Sequence, residues 1–185
     1  MSKIIILLVF LSLFSAASAE NWAVLVAGSN SWFNYRHQAD VFHAYKMFLA
    51  KNFNKDRIIV MAYNDIANNS RNPFPGKVFN KPTYSDPGVD VYEGVNIDYQ
   101  GADVTPENFL KVLSGQKNEM VGVGSGKVVP ANEKNQIFIF FSDHGAPNLI
   151  AFPSKYLYAD QLLATFSTMK YDKIAFYLEV SYFSN

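Results

Sequence analysis

Short, almost continuous apolar runs alternate along the chain with segments whose apolar residues recur every three to four positions. That alternation predicts parallel strands joined by crossover helices. Trp22 to Ala27 (WAVLVA) predicts a first buried strand, apolar throughout and stopped by Gly28-Ser29-Asn30. Gln38 to Asn52 predicts a helix with Val41, Ala44, Tyr45, Phe48 and Leu49 on one face. Arg57 to Ala62 (RIIVMA), Ile137 to Phe141 (IFIFF) and Lys173 to Leu178 (KIAFYL) predict a second, third and fourth strand. A further helix is expected over Asp160 to Met169. Another runs from Pro106 to Leu113, where Thr105 can cap the free N–H groups and proline suits the first helical position.

Between Tyr63 and Val104 the chain is rich in Pro, Gly, Asn and Asp and holds neither period, which predicts a long loop forming a rim or flap over a site. Gly122 to Gly126 (GVGSG) lacks the preceding strand and following helix of a phosphate cradle, so it argues against nucleotide binding. At the N-terminus, Lys3, the apolar run Ile4 to Phe14 and the small residues Ala17-Ser18-Ala19 predict a signal peptide over residues 1–19 and a single domain over 20–185. The run is too short to span a bilayer comfortably, and no later segment reads as transmembrane, so no membrane anchor is expected.

With 16 basic and 16 acidic side chains the charge is balanced, which removes the electrostatic case for a nucleic-acid or anionic-membrane partner. Secretion permits disulfides, yet the sequence contains no cysteine, so packing alone must hold a fold large enough to do without staples. Asn68-Asn69-Ser70 fits a glycosylation sequon at Asn68. Neither a cofactor nor a metal is expected.

In an open α/β sheet, ligands bind outside the carboxyl ends of the strands. Asn34, Arg36 and His37 follow the first predicted strand, Asp143 and His144 the third, and Glu179 and Ser181 the fourth. Three strand ends thus deliver histidines, an arginine and acids to one edge. His144, between Asp143 and Gly145 on an expected turn, suits a general base or equally a residue that caps the turn. Arg36-His37 reads equally as a solvated helix start.

The run WAVLVAGSNSWFNYRHQADVFHAY (Trp22 to Tyr45) resembles the N-terminal strand and helix of the legumain family of asparaginyl endopeptidases. The resemblance continues through NPFPGKVFN, DVTPENFLKVLSG, GSGKV, FSDHGAPNLIAFP and KIAFYLE, ending at Glu179. It implies a caspase-like three-layer α/β/α fold with a mostly parallel sheet. It also implies cleavage of protein or peptide substrates after Asn, and a vacuolar, lysosomal or extracellular location. His144 matches the family's catalytic histidine and Asn34 the residue that orients it, while Arg36 and His37, with Glu179 as a nearby acid, match its pocket for the Asn side chain. A related transamidase that attaches lipid anchors shares Asn-Tyr-Arg-His but carries a Gly-His-Gly-Gly form of the histidine motif, so Ser142-Asp143-His144-Gly145 favours the peptidase.

The departure comes after Glu179, where the family continues Glu-Ala-Cys-Glu-Ser-Gly-Ser and this chain reads Glu179-Val180-Ser181-Tyr182-Phe183-Ser184-Asn185. Ser181 stands at the nucleophile's place. The expectation is therefore a domain incomplete after its fourth strand and inactive as written. The alternatives are a non-catalytic peptide-binding relative and a non-functional fragment.

Overall fold

The computed structural model describes residues 19–81 and 88–182, so the expected signal peptide, apart from its last position, lies outside the described residues. Strands β1 (Asn21–Ala27), β2 (Ile58–Met61), β3 (Gln136–Ala146), β4 (Leu149–Ala151), β5 (Tyr156–Tyr158) and β6 (Lys173–Tyr182) form one six-stranded sheet. Helices α1 (Tyr35–Ala50), α2 (Pro106–Leu113) and α3 (Ala159–Thr168) cover it. β1 lies parallel to both β2 and β3, and β3 parallel to β6, while β4 and β5 are antiparallel additions. Gly145 is opposite Ile150 of β4 and also Tyr182 of β6, so those two strands take opposite edges of β3 at its carboxyl end.

The apolar runs are continuous because both faces of the central strands are covered. One face, with Ala23, Leu25 and Val60, packs against Val41, Phe42 and Tyr45 of α1. The other, with Val24, Ile139 and Phe141, packs against Phe109 and Val112 of α2, with Leu162 and Phe166 of α3 half-buried on it. This is the three-layer, mostly parallel architecture the sequence predicts. Thr105 caps α2 as expected, accepting the Asn108 backbone N–H at 3.2 Å.

Four details differ from expectation. The sheet has six strands where the apolar runs predict four, because β4 and β5 are three residues each and too short to show a period. β3 continues through Ser142-Asp143-His144-Gly145 to Ala146 and does not turn after Phe141, since β6 and β4 supply hydrogen-bonding neighbours on both sides there. β6 likewise extends to Tyr182, so Glu179 and Ser181 lie inside a strand. α1 begins at Tyr35, three positions before the predicted start, which puts Arg36 and His37 in its first turn.

The long segment after β2 is packed down. Ile66, Val78 and Val91 are buried against the α1 side of the sheet. Asp65 accepts the Ser31 N–H and the Gln38 side-chain N–H, each at 2.7 Å, and the Tyr35 hydroxyl accepts the Phe79 N–H at 2.6 Å. The described part of this loop braces the start of α1, a role the expected rim or flap did not include.

Asp98, 3% exposed, anchors the same segment by accepting the Val60 N–H at 3.0 Å, the Ser125 hydroxyl at 2.8 Å and the Lys127 ammonium at 3.1 Å. Beside it, burial and the charges of Asp98 and Asp103 push the Tyr99 hydroxyl up to about 12, so it stays protonated and donates to the Lys127 carbonyl at 2.6 Å. Asp98→Ala removes the acceptor of the Val60 N–H and the Ser125 hydroxyl and leaves Lys127 only the Ile58 carbonyl at 3.0 Å. It is expected to lower the unfolding free energy by about 3 kcal/mol, measured by urea denaturation against the unsubstituted chain.

Candidate active site

β1 ends at Ala27, just before Gly28, and one 3-10 turn (Trp32–Asn34) leads into α1. The turn places Asn34 against His144: Asn34 Oδ1 lies 2.9 Å from His144 Nε2. The Asn34 Nδ2 amide donates to the Asn30 carbonyl at 2.9 Å, which fixes the end of the carboxamide that faces the ring. The imidazole therefore carries its proton on Nε2, donates it to Asn34, and presents Nδ1 as its basic nitrogen. A half-buried ring held in one tautomer by an amide oxygen is a positioned proton acceptor.

His37 stands behind it, 2% exposed, its ring edge-on to His144 at 5.0 Å between centroids and 84° between planes. His37 Nδ1 is 2.7 Å from the Ser29 hydroxyl and 3.2 Å from Asp143 Oδ1. Asp143 is itself 2% exposed. Gly28 makes room for this arrangement. A Cβ there would sit 2.7 Å from both Asp143 Oδ2 and the Phe141 ring and 2.5 Å from the Ala151 carbonyl. The contacts of Ser29 and Asp143 with His37 were invisible in the sequence, because residues 29, 37 and 143 meet only after β1 and β3 pair.

β6 completes the edge. Its register sets Glu179 beside Ser142 and Ser181 beside His144, one strand spacing away. Glu179 is exposed and lines an apolar groove together with Asp40, His43, Phe48, Phe138 and Tyr177. Arg36 is exposed too, but it donates to the Phe33 carbonyl at 3.3 Å and, among the described residues, forms no ion pair with Glu179. The structure brings together Asn34, His37 and His144 and adds Ser29 and Asp143. Asn68 and Ser70, on a separate exposed turn, are both accessible.

Comparison with known proteins fits this geometry. The Peptidase C13 family model matches residues 21–184. The chain is 48% identical over 164 residues to legumain of Rattus norvegicus, covering 86% of this chain and 37% of that protein. To hemoglobinase of Schistosoma mansoni it is 48% identical over 164 residues, covering 86% of this chain and 36% of that protein. To the vacuolar-processing enzyme of Citrus sinensis it is 47% identical over 163 residues, covering 85% of this chain and 32% of that protein. The chain thus spans about a third of the length of the curated relatives it matches. A family model that runs through nearly all of the described residues, and through every strand that builds the site, establishes that the chain belongs to the peptidase C13 family.

Proposed function

We propose that this chain carries the base and part of the substrate pocket of a cysteine-type endopeptidase that cleaves proteins after Asn, with Ser181 at the nucleophile position. The observation that carries the reading is the 2.9 Å contact between Asn34 and His144, formed at the carboxyl edge of a parallel sheet whose next strand runs Ser181 alongside. In that reaction His144 Nδ1 takes the nucleophile's proton, the nucleophile bonds to the peptide carbonyl carbon, and the imidazolium returns the proton to the leaving amine. Water then releases the acyl group by the same route. A thiol ionises readily beside an imidazole, whereas a serine hydroxyl needs a base and an oxyanion site aligned for oxygen. The chain as written is therefore expected to be inactive.

Arg36, His37 and Glu179 are assigned to the pocket for the Asn side chain, whose carboxamide needs both donors and acceptors. Substrate would draw Arg36 off the Phe33 carbonyl. Asn68 is assigned as a glycosylation site and the secretory route, ending in a vacuole, a lysosome or outside the cell, as the destination. The test is a chimera in which residues after Glu179 are replaced by the corresponding part of rat legumain. It is expected to cleave an Ala-Ala-Asn reporter at least about tenfold better than an Ala-Ala-Leu one, and Arg36→Ala should reduce that preference. Equal kcat/KM on the two reporters would refute the pocket assignment.

A further inference from the structure

The 3-10 turn that carries Asn34 also puts an aromatic ring on the surface beside the site. Phe33 is 78% exposed, and the Arg71 guanidinium carbon stands 5.0 Å from its ring centroid. The Phe33 carbonyl accepts from Arg36 at 3.3 Å, so this one residue contacts two arginines, both exposed. Among the described residues neither guanidinium has a carboxylate partner. Asp65, whose carboxylate reaches the same turn, is committed to the Ser31 N–H and the Gln38 amide. The chain around Arg71 holds it in place. Its own N–H donates to Asn69 Oδ1 at 3.0 Å, and the buried Asn72 amide donates to the carbonyls of Ile66, Ala67 and Lys77 at 3.2, 2.9 and 2.9 Å. A turn closed on both sides of Arg71 presents the guanidinium with little backbone freedom left to lose on binding.

We propose that Phe33 and Arg71 form a subsite that selects peptides with an acidic side chain close to the Asn that enters the pocket. Exposed aromatic and arginine side chains together are the composition of recognition surfaces. A cation–π contact consumes none of the guanidinium N–H groups, which remain for a carboxylate in the forked geometry that arginine favours. An Asp or Glu of the substrate pairs with Arg71 there while its methylene groups lie along the Phe33 ring. The preference for an acid over a base follows from two guanidiniums without carboxylate partners, which also draw acidic peptides toward this edge. Phe33 stands directly before Asn34, the residue bonded to His144, and its carbonyl holds Arg36, so the surface borders the pocket. Its placement beside a peptide pocket, though not its charge preference, rests on the proteolytic reading above.

The test titrates the purified full chain into fluorescein-labelled Gly-Xaa-Ala-Asn-Xaa-Gly peptides, with Xaa either Glu or Gln, and reads binding by fluorescence anisotropy. At low salt the Glu peptide is expected to bind about fivefold more tightly than the Gln peptide, with the gap closing at about 0.5 M sodium chloride. Arg71→Gln should abolish the gap and Phe33→Ala should narrow it, with circular dichroism showing the fold retained. Lys134→Gln, which removes an exposed positive charge elsewhere, should leave it unchanged. Equal affinity for the two peptides, a gap that survives Arg71→Gln or is lost with Lys134→Gln, or no measurable binding of either peptide would overturn the proposal. Exchanging the Asn of both peptides for Leu separates the two readings. An Arg71-dependent gap that persists in the Leu pair supports the subsite even where the Asn pocket fails, and a general loss of affinity with the gap unchanged reports on the pocket alone.

Discussion

Replacing His144 with alanine in the legumain chimera is expected to lower kcat at least about 100-fold, measured with the Ala-Ala-Asn reporter under saturating substrate. The size follows from the site's construction. His144 is the one imidazole whose basic nitrogen is set by a positioned amide, through the 2.9 Å contact to Asn34, and β6 runs the nucleophile position alongside it. His37 cannot take over, being 2% exposed with Nδ1 committed to Ser29. KM should change little, because the ring acts on the nucleophile and the leaving amine and not on the Asn side chain. Asn34→Ala should cost less, since the imidazole remains but its tautomer and orientation are no longer fixed. A His144→Ala chimera with near-normal kcat would remove the base from His144.

The second large effect concerns association. β6 pairs with β3 along one side only among the described residues, and Tyr177, Leu178 and Val180 are exposed on it at 67%, 46% and 39%. An edge strand of that length with apolar side chains is a template for pairing with another chain. The pattern is self-complementary: in an antiparallel pairing of two copies centred on Phe176, Lys173 of one faces Glu179 of the other and Ile174 faces Leu178. Residues 20–185 alone are therefore expected to sediment as dimers and larger species at micromolar concentration. Leu178→Lys, which puts an unpaired cation on the exposed edge, should shift them toward monomer. In the chimera the same edge is expected to be covered and the protein monomeric. A monomeric 20–185 with a cooperative melt would show that β6 needs no further partner.

The long buried runs were legible because burial on both faces leaves an uninterrupted apolar signature, and β1, β2 and α2 fall within a residue or so of expectation. The ends were not. Ser142-Asp143-His144-Gly145 carries the composition of a turn, yet strand neighbours on both edges hold it extended, and pairing partners so distant in sequence leave no local mark. Tyr35-Arg36-His37 hid the start of α1 because its buried member is a histidine, held by the Ser29 hydroxyl at Nδ1, and not an apolar residue. The site residues Asn34 and His144 were readable through a family motif. The buried Ser29–His37–Asp143 cluster behind them was not, since only the paired sheet and the missing side chain of Gly28 bring it together.

The central claim is that this strand edge is a peptidase site with Ser181 at its nucleophile position. The most direct measurement is turnover of the Ala-Ala-Asn reporter by the chain as written and by the chimera, at matched concentration. The account predicts no detectable hydrolysis by the chain and no labelling by thiol-directed probes, with both present in the chimera. Robust turnover by the chain with Ser181 in place, or a folded chimera that stays inert, would contradict it.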